Sequence, residues 1–211
     1  MLRITEIFWS LQGETTRVGL PTAFIRLTGC PLRCQYCDTA YAFTGGERRS
    51  IAEIIATVAG FGARYVTVTG GEPLAQSACL DLLRELCDAG YDVSLETSGA
   101  IDISKVDPRV ARIVDLKTPA STEAARNRWE NLPLLGAHDQ VNFVLCDRAD
   151  YDWALAVIAK HELAARCEIL FSPSHAQLPL ADLADWILAD RAPVRLQVQL
   201  HKLLWDDARG R

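Results

Sequence analysis

Three cysteines on one short loop constrain this chain more than any other feature of its sequence. Cys30, Cys34 and Cys37 follow the β-rich run Thr22–Thr28 in a C-x3-C-x2-C spacing. Three thiolates this close on one loop can face a single centre, and soft sulfur selects an iron–sulfur cluster or zinc over hard cations. The sequence therefore predicts a metal centre at the carboxyl end of a strand.

The fourth ligand distinguishes these two metals. A structural zinc site needs four protein ligands, yet the next cysteine is Cys79 and the first histidine is His138. A four-iron cluster held by three cysteines leaves one iron open to a ligand that is not protein. The spacing favours the cluster, and the alternatives are a zinc site completed by a distant residue, or ordinary buried thiols.

Composition indicates the setting of this loop. The chain has 211 residues, 49% of them hydrophobic, with 22 Lys and Arg against 27 Asp and Glu and a formal charge of −5. These values predict one domain over residues 1–211 with a full core. The acidic balance argues against a non-specific grip on nucleic acid, so we expect a small-molecule ligand and no direct contact with nucleic acid.

The chain shows no export or membrane signal. Its first residues lack the apolar run of a secretory signal, and no stretch reaches the ~18 apolar residues of a membrane span. We therefore expect a cytoplasmic protein whose seven cysteines are thiols. Four of them stand alone and are expected to be small buried hydrophobic side chains: Cys79, Cys87, Cys146 and Cys167.

Strand and helix patterns alternate along the chain. The β-rich runs are Arg3–Phe8, Thr22–Thr28, Tyr65–Thr69, Tyr91–Glu96, Ile113–Leu116, Gln140–Leu145, Ile169–Phe171 and Val194–Leu200. The predicted helices are Ser50 to about Val58, Asp81–Ala89, Trp153–Leu163 and Leu180–Leu188. This α/β alternation predicts a mostly parallel sheet, and because a complete (β/α)8 barrel takes about 250 residues, we expect a partial, open barrel.

Glycines and polar residues follow several of these strands. Thr69-Gly70-Gly71-Glu72-Pro73 is a glycine turn that lets the backbone approach a ligand, although a plain tight turn has the same pattern. Polar groups recur after the strands that end near Glu96 and Asp115. Because carboxyl ends of parallel strands meet at one edge, these groups predict a pocket, with Lys117 as a charged contact for a cofactor.

Candidate contacts also lie near the N-terminus and beside the cysteines. Arg26 interrupts an apolar strand, so either a substrate carboxylate or a structural Glu partner is expected to compensate its charge. Glu14 can accept the paired N–H donors of a pterin-like edge. Asp38 and Thr39 offer oxygen ligands with which substrate and water would complete a magnesium site. His201 follows the alternating run 194–200, whose polar face lines a barrel interior or meets water.

The cysteine loop, with Tyr36 directly before its last cysteine, resembles the cluster loop of the radical S-adenosylmethionine (SAM) enzymes. The whole ordered set of motifs resembles one family of that superfamily, the 7-carboxy-7-deazaguanine synthases. The motifs are Leu11-Gln12-Gly13-Glu14, the cysteine loop 29–39, Thr69-Gly70-Gly71-Glu72-Pro73, Glu96-Thr97-Ser98-Gly99 and Gln199-Leu200-His201-Lys202.

This resemblance implies a partial (β/α) barrel of radical SAM type that holds a 4Fe–4S cluster with one open iron, SAM and Mg2+. It implies a lyase that converts 6-carboxy-5,6,7,8-tetrahydropterin to 7-carboxy-7-deazaguanine with loss of ammonia, in queuosine biosynthesis, and regenerates SAM in each turnover. It further implies a homodimer and an external one-electron donor such as a flavodoxin.

The resemblance also assigns residues to roles, none of them a catalytic acid or base. The cluster ligands are Cys30, Cys34 and Cys37, and Thr39 contacts magnesium. Cofactor contacts are Tyr36, Cys37, Asp38, Gly71, Glu72 and Lys117. Substrate contacts are Leu11, Gln12, Gly13, Glu14, Arg26, Thr69 and His201.

The chain departs from the family pattern at three places: in two motifs, and in the tail 203–211, which continues where some short members end directly after the His-Lys segment. Thr15 stands where many members have Gly, and Asp115-Leu116-Lys117 stands where many have Ser-Pro-Lys. No role is assigned to the C-terminal tail 203–211. The functional alternatives are a glycyl-radical-enzyme activase, which shares the cysteine and glycine motifs, and a non-catalytic iron–sulfur or zinc-binding module.

Overall fold

One sheet organises the part of the chain that this computed structural model describes, residues 1–206 and 208–210. Its strands are β1 (Leu2–Leu11), β2 (Pro21–Leu27), β3 (Glu47–Arg49), β4 (Tyr65–Gly70), β5 (Asp92–Thr97), β6 (Ala111–Asp115), β7 (Gln140–Leu145), β8 (Glu168–Pro173) and β9 (Arg195–Leu196). Among the described residues the strands lie in the order β3-β1-β2-β4-β5-β6-β7-β8-β9.

Most neighbouring strands are parallel. From β2 onward through β4 to β9 every pair is parallel, so their carboxyl ends share one edge of the sheet. β1 is antiparallel to β2, which places Leu11 beside Pro21 at the opposite, amino edge. The outer strands β3 and β9 do not pair with each other within the described residues. The predicted open, partial barrel of α/β type is therefore confirmed.

Helices follow the strands as predicted. They are α1 (Ile51–Ala59), α2 (Cys79–Asp88), α3 (Arg148–His161), α4 (Leu180–Asp190) and α5 (Leu200–Trp205). Short 3-10 turns lie at Ala40–Ala42, Pro73–Ala75, Pro119–Ser121, Ala124–Arg126, Trp129–Leu134 and Leu163–Ala165. The capping box of α1 is confirmed, since Ser50 Oγ accepts from Glu53 N at 3.2 Å and the Glu53 carboxylate accepts from Ser50 N at 2.7 Å. α3 begins before the predicted Trp153 because the Asp147 side chain caps its first turn.

Period-two alternation gives the parallel strands two different faces. Val66 and Val68 of β4 are fully buried in the apolar core shared with the helices. The intervening Thr67 and Thr69 are buried on the other face, where the Thr67 and Ser94 hydroxyls are 2.9 Å apart. This polar face forms the interior of the partial barrel.

The predicted C-terminal strand 194–200 is wrong beyond its first residues. β9 ends at Leu196, Gln197 N makes one further bond to Phe171 O, and the chain then enters α5. β8 ends at Pro173, which has no N–H group with which to hydrogen-bond an extended β9. His201 therefore lies on a helix and not on the polar face of a strand.

No helix in the described ranges is long and apolar enough to cross a membrane.

Candidate active site

A cavity of about 680 Å³ opens at the carboxyl edge of the sheet. This volume suits a cofactor and a small substrate, since ligand pockets are commonly about 300–1,000 Å³. With one exception, Glu72, the residues assigned from the sequence line it: Leu11, Gln12, Gly13, Glu14, Arg26, Cys30, Cys34, Tyr36, Cys37, Asp38, Thr39, Thr69, Gly71, Lys117 and His201. The structure thus brings together residues that are distant along the chain.

The loop after β2 presents the three thiols to this cavity. Gly29 N donates to Ala42 O at 2.8 Å, Leu32 is buried beneath the loop, and Cys37 N donates to Cys34 O at 3.1 Å. Leu32 N also donates to Cys30 Sγ at 3.4 Å. The loop is therefore held by its own backbone, with its sulfur atoms on the cavity side.

The donor set fits an iron–sulfur cluster. Cys30, Cys34 and Cys37 line one space, but no three candidate ligands among the described residues converge closely enough to hold a single metal ion. A four-iron cluster occupies a volume and not a point. Burial raises the pKa of all three thiols, that of Cys34 to about 11, so their thiolate forms need a cationic partner.

The glycine turn packs directly against the cysteine loop. A Cβ atom on Gly71 would overlap Gly29 O and come within 2.9 Å of Cys30 Cβ. Glu72 N also donates to Gly29 O at 2.7 Å. Glycine is required here because the two backbones touch, so Gly71 faces the cavity beside the first cysteine.

Glu72 does not line the cavity, so the structure does not place it as a direct cofactor contact. Its fully buried carboxylate accepts from Thr97 Oγ1 at 2.9 Å, from Ser98 N at 2.8 Å and from Leu74 N at 3.0 Å. Thr97 and Ser98 themselves line the cavity. Glu72 therefore positions the end of β5 beside the glycine turn.

Lys117 lies in the cavity wall between an acid and an aromatic ring. Its Nζ donates to Asp115 Oδ2 at 2.6 Å and lies 5.9 Å from the centre of the Tyr36 ring. Burial is the largest single influence and lowers the pKa of Lys117, but the opposing effects of the Asp115 carboxylate, Tyr36 and Cys34 together exceed it. The net pKa is therefore raised and the ammonium is charged. Asp115 Oδ1 and the Tyr36 hydroxyl are buried without a hydrogen-bond partner in the described chain, as expected where a ligand completes the site.

Two carboxylates line the part of the cavity formed by the Gln12–Glu14 segment. Burial, together with the Glu96 carboxylate, raises the pKa of Glu14 to about 8. Burial also raises the pKa of Glu96, whose Oε1 lies 3.3 Å from Gln12 Nε2. Gln12 Oε1 in turn accepts from Glu14 N at 3.1 Å. We call Gln12, Glu14 and Glu96 the acidic wall. Arg26 partly offsets the effect of burial on the pKa of Glu96, and both carboxylates can accept N–H donors of a ligand.

Arg26 has a protein partner and still faces the cavity. Its Nε donates to Glu6 Oε1 at 2.7 Å, so the alternative of a structural Glu partner is confirmed. Its two terminal nitrogens make no hydrogen bond to other described residues, and the guanidinium lies 5.9 Å from the Tyr41 ring centre. The two terminal nitrogens can therefore donate two parallel hydrogen bonds to an anionic group.

The segment around α5 closes the open side of the barrel. Leu200 N donates to Gly13 O at 2.9 Å, and a Cβ on Gly13 would overlap the His201 ring. Gln199 Nε2 donates to Glu14 Oε1 at 3.0 Å and to Asp38 Oδ2 at 3.2 Å. The C-terminal segment thus joins the acidic wall to the cysteine loop.

The site contains residues that sequence reasoning did not assign, chiefly Glu96, Asp115 and Gln199. Residues 208–210 of the tail, which received no role, also line the cavity. Cys79 and Cys167 are buried as predicted, whereas Cys87 and Cys146 are only half-buried. Cys146 directly follows β7 and therefore lies at the carboxyl edge of the sheet, next to the site. Its Sγ is 3.5 Å from Gln35 Nε2.

Comparison with known proteins defines the class. The profile of the Radical SAM superfamily matches residues 24–160, which include the cysteine loop and the glycine turn. QueE from Escherichia coli shares the fold, with a TM-score of 0.77 at 24% identity over 94% of this chain and 93% of that chain. SuiB from Streptococcus suis bound to S-adenosylmethionine also shares the fold, with a TM-score of 0.56 at 13% identity over 81% of this chain and 45% of that chain. The chain belongs to the radical SAM superfamily, which uses a 4Fe–4S cluster and SAM.

Full-length relatives define the family within that class. The 7-carboxy-7-deazaguanine synthase of Chlorobaculum tepidum is 47% identical over 213 residues, 99% of this chain and 97% of that protein. The protein of the same name from Koribacter versatilis is 42% identical, with 97% of each chain covered. The chain belongs to the 7-carboxy-7-deazaguanine synthase family, which confirms the resemblance in its motifs.

Proposed function

We propose that this chain is a lyase that converts 6-carboxy-5,6,7,8-tetrahydropterin to 7-carboxy-7-deazaguanine with release of ammonia, in queuosine biosynthesis. The observation that carries the proposal is one cavity lined by the three thiols and also by the acidic wall. Family membership supports the same reaction. Neither a glycyl-radical activase nor a passive metal module accounts for an acidic wall beside the thiols.

The thiols and the glycine turn form the cofactor half of the site. Cys30, Cys34 and Cys37 would hold three irons of the cluster, with the fourth open to SAM. When bound, these groups supply the one-electron chemistry that produces a hydrogen-abstracting radical. Tyr36, Asp38, Gly71 and Lys117 would contact the cofactor, and Gly71 presents backbone beside Cys30 without a side chain in the way.

The acidic wall forms the substrate half together with Arg26. Glu14 and Glu96 would accept the N–H donors of the pyrimidine edge of the pterin. The terminal nitrogens of Arg26, which make no hydrogen bond to another residue in the described ranges, would hold the carboxylate of the pterin as a two-pronged pair. Further contacts come from the cavity-lining residues Leu11, Gln12, Gly13, Thr69 and His201. In this arrangement the substrate would lie between the acidic wall and the thiols.

Thr39 is the proposed protein ligand for magnesium. Its hydroxyl donates to Asp38 Oδ1 at 2.7 Å, which leaves oxygen lone pairs directed away from that bond. Mg2+ prefers oxygen ligands and keeps several waters, so a substrate carboxylate and water would complete its shell. We expect Thr39→Ala to weaken the magnesium dependence of turnover while iron content stays unchanged, and Thr39→Ser to restore it. Equal magnesium profiles for wild type and Thr39→Ala would refute this assignment.

The remaining partners follow from the reaction. The substrate is a small molecule, and the formal charge of −5 argues against a non-specific grip on nucleic acid. Reduction of a cluster requires an external one-electron donor, such as a flavodoxin. We also propose a homodimer located in the cytoplasm.

The decisive experiment is turnover by anaerobically reconstituted protein. We expect iron and sulfide at the four-iron level, pterin-dependent formation of 7-carboxy-7-deazaguanine, and no net loss of SAM. Cys34→Ser should lose the cluster, whereas Cys146→Ser, a matched thiol at the same sheet edge, should keep it. Recovery of stoichiometric zinc without iron would refute the assignment of an iron–sulfur cluster. SAM cleavage without any change in the pterin would refute the assignment of the pterin as substrate.

A further inference from the structure

The loop between β1 and β2 closes on itself at the amino edge of the sheet. Gln12 N donates to Leu20 O and Gly19 N donates to Gln12 O, both at 2.8 Å. The residues at its start, Leu11 to Thr15, line the large cavity, although this loop lies at the edge opposite the cysteine loop. It therefore forms the floor of the barrel interior.

Thr16 attaches this loop to β7. Its N donates to Gln140 Oε1 at 3.0 Å, and Gln140 Nε2 donates to Thr16 Oγ1 at 2.8 Å. Gln140 is buried, so the reciprocal pair satisfies an amide that has little access to water. Thr16 itself is exposed, so its side chain serves this contact and no core packing.

Arg17 attaches the same loop to β5 and β4. Its guanidinium donates to the Asp92 side chain at 2.5 Å and to Asp92 O at 3.2 Å, and lies 5.3 Å from the centre of the Tyr65 ring. The Arg17 side chain is only 17% exposed. An arginine with two donors on one residue and a ring against its face is fixed in direction, unlike a solvated surface pair.

Thr15 separates the two sides of the loop. Its φ of 68° lies in the left-handed region, and its Oγ1 accepts from Arg17 N at 3.1 Å. Thr15 lines the large cavity, whereas Thr16 and Arg17 line a separate small cleft with Asp92 and Gln140. The reversal at Thr15 thus turns one side of the loop to the ligand and the other to the strand ends.

We propose that Thr16, Arg17, Asp92 and Gln140 form a clasp that positions the Gln12–Glu14 segment for the pterin. This inference rests on the proposed function. None of the four lines the large cavity, so all four are positioning residues and none contacts the substrate. Gln12 bonds to Glu96, so a shift of the Gln12–Glu14 segment also moves the acidic wall relative to the substrate. A displacement of about 1 Å is already enough to impair the geometry of a reaction.

The test compares a loosened clasp with a matched control. Thr16→Val combined with Asp92→Ala removes the side-chain bond of each attachment, from Gln140 Nε2 to Thr16 Oγ1 and from Arg17 to the Asp92 carboxylate, and keeps Arg17 as a trypsin site. Thr16→Ser keeps the hydroxyl. Arg195→Met is the control, because it breaks a 2.7 Å pair with Glu168 at the same sheet edge without touching the loop. Cluster-loaded proteins are compared for pterin KM and kcat, for SAM cleavage without pterin, and for trypsin cleavage of the 17–18 bond followed by mass spectrometry.

For the double variant we expect a KM about tenfold higher, with kcat and pterin-free SAM cleavage within twofold of wild type. Cleavage after Arg17 should be about tenfold faster, because local opening exposes the loop. Thr16→Ser and Arg195→Met should match wild type in all four measurements. If the four residues only support the overall structure, the double variant should instead lose SAM cleavage together with pterin turnover, which would contradict the clasp.

The two proposals fail in different ways. If wild type turns over the pterin and both the double variant and the single Thr16→Val keep its KM, the clasp is refuted. If wild type cleaves SAM and leaves the pterin unchanged, the proposed function fails. Equal rates of trypsin cleavage after Arg17 in wild type and in the double variant refute the clasp, whatever the kinetic result.

Discussion

Glu72→Gln tests whether the glycine turn and the end of β5 are held by a buried carboxylate. The side chain is fully buried and keeps its shape in this variant, so only charge and acceptor capacity change. Its oxygens accept from Leu74 N, from Ser98 N and Oγ, and from Thr97 Oγ1, which lies 2.9 Å from both. Gln offers one carbonyl oxygen to this set and turns an N–H group toward the remaining donors.

The magnitude follows from which contacts survive. A carbonyl in the position of Oε1 keeps Leu74 N and Thr97, while Ser98 N–H is left facing an amide N–H. A buried donor without a partner costs about 1–3 kcal/mol, and the retained bonds lose their charge-assisted strength. We expect a loss of about 2–4 kcal/mol, which for a chain of this size lowers the melting temperature by roughly 5–15 °C.

The assay is thermal unfolding of anaerobic, cluster-loaded protein at one scan rate, with SAM affinity measured in parallel. SAM affinity should fall too, because Thr97 and Ser98 line the cavity. Glu53→Gln is the matched control, since Glu53 is a helix-capping carboxylate whose role Gln also fills. A Glu72→Gln protein that melts within about 2 °C of wild type would refute the reasoning.

Three further outcomes are expected. Thr15→Val should destabilise the protein by about 1–2 kcal/mol in melting experiments, because Arg17 N loses its acceptor and a β-branched residue still occupies the φ of 68°. Thr15→Gly loses the same acceptor but adopts that φ without strain, so it should stay near wild type; equal losses would contradict this. Asp139→Asn should cost about 3 kcal/mol, because Arg112 loses a buried partner. Burial raises the pKa of Asp139, but the Arg112 bonds outweigh it and lower the net pKa, so this stability is complete above about pH 4 and is lost below it in wild type only. Pterin affinity should rise about ninefold from pH 6 to pH 7 and about fivefold from pH 7 to pH 8, because the ionised Glu14, with its pKa raised to about 8, is the form that accepts N–H donors. Glu14→Gln should flatten this profile, and a flat profile in wild type would exclude the assigned role.

Features encoded by neighbouring residues were predictable from the sequence. The cysteine spacing and the glycine turn each lie within a single loop, and the structure places both beside one cavity. The alternation of strands and helices predicted the open sheet, since each βα unit is specified locally. The prediction of a strand over residues 194–200 was wrong because the length of that strand depends on its neighbour β8, which ends at Pro173.

Features that depend on distant partners were not predictable. Glu72 belongs to a motif associated with cofactor binding, yet its carboxylate is turned toward Thr97 and Ser98, which come from another strand. Gln199 reaches Glu14 across 185 residues and Asp38 across 161. Nothing in the local sequence around Gln199 distinguishes these contacts from solvation at an exposed strand edge.

One signal for the cavity was nevertheless present in the strands. A parallel sheet covered by helices on both sides has strands that are apolar on both faces. Here the same face carries Thr67 and Thr69 in β4, Ser94 and Glu96 in β5, and Asn142 in β7. A polar face on successive parallel strands excludes a second helical layer, because buried polar groups need partners that aliphatic helices do not supply. The same alternation places Gln140 and Asn142 on one face of β7, so a single strand contributes both to the clasp below and to the cavity above.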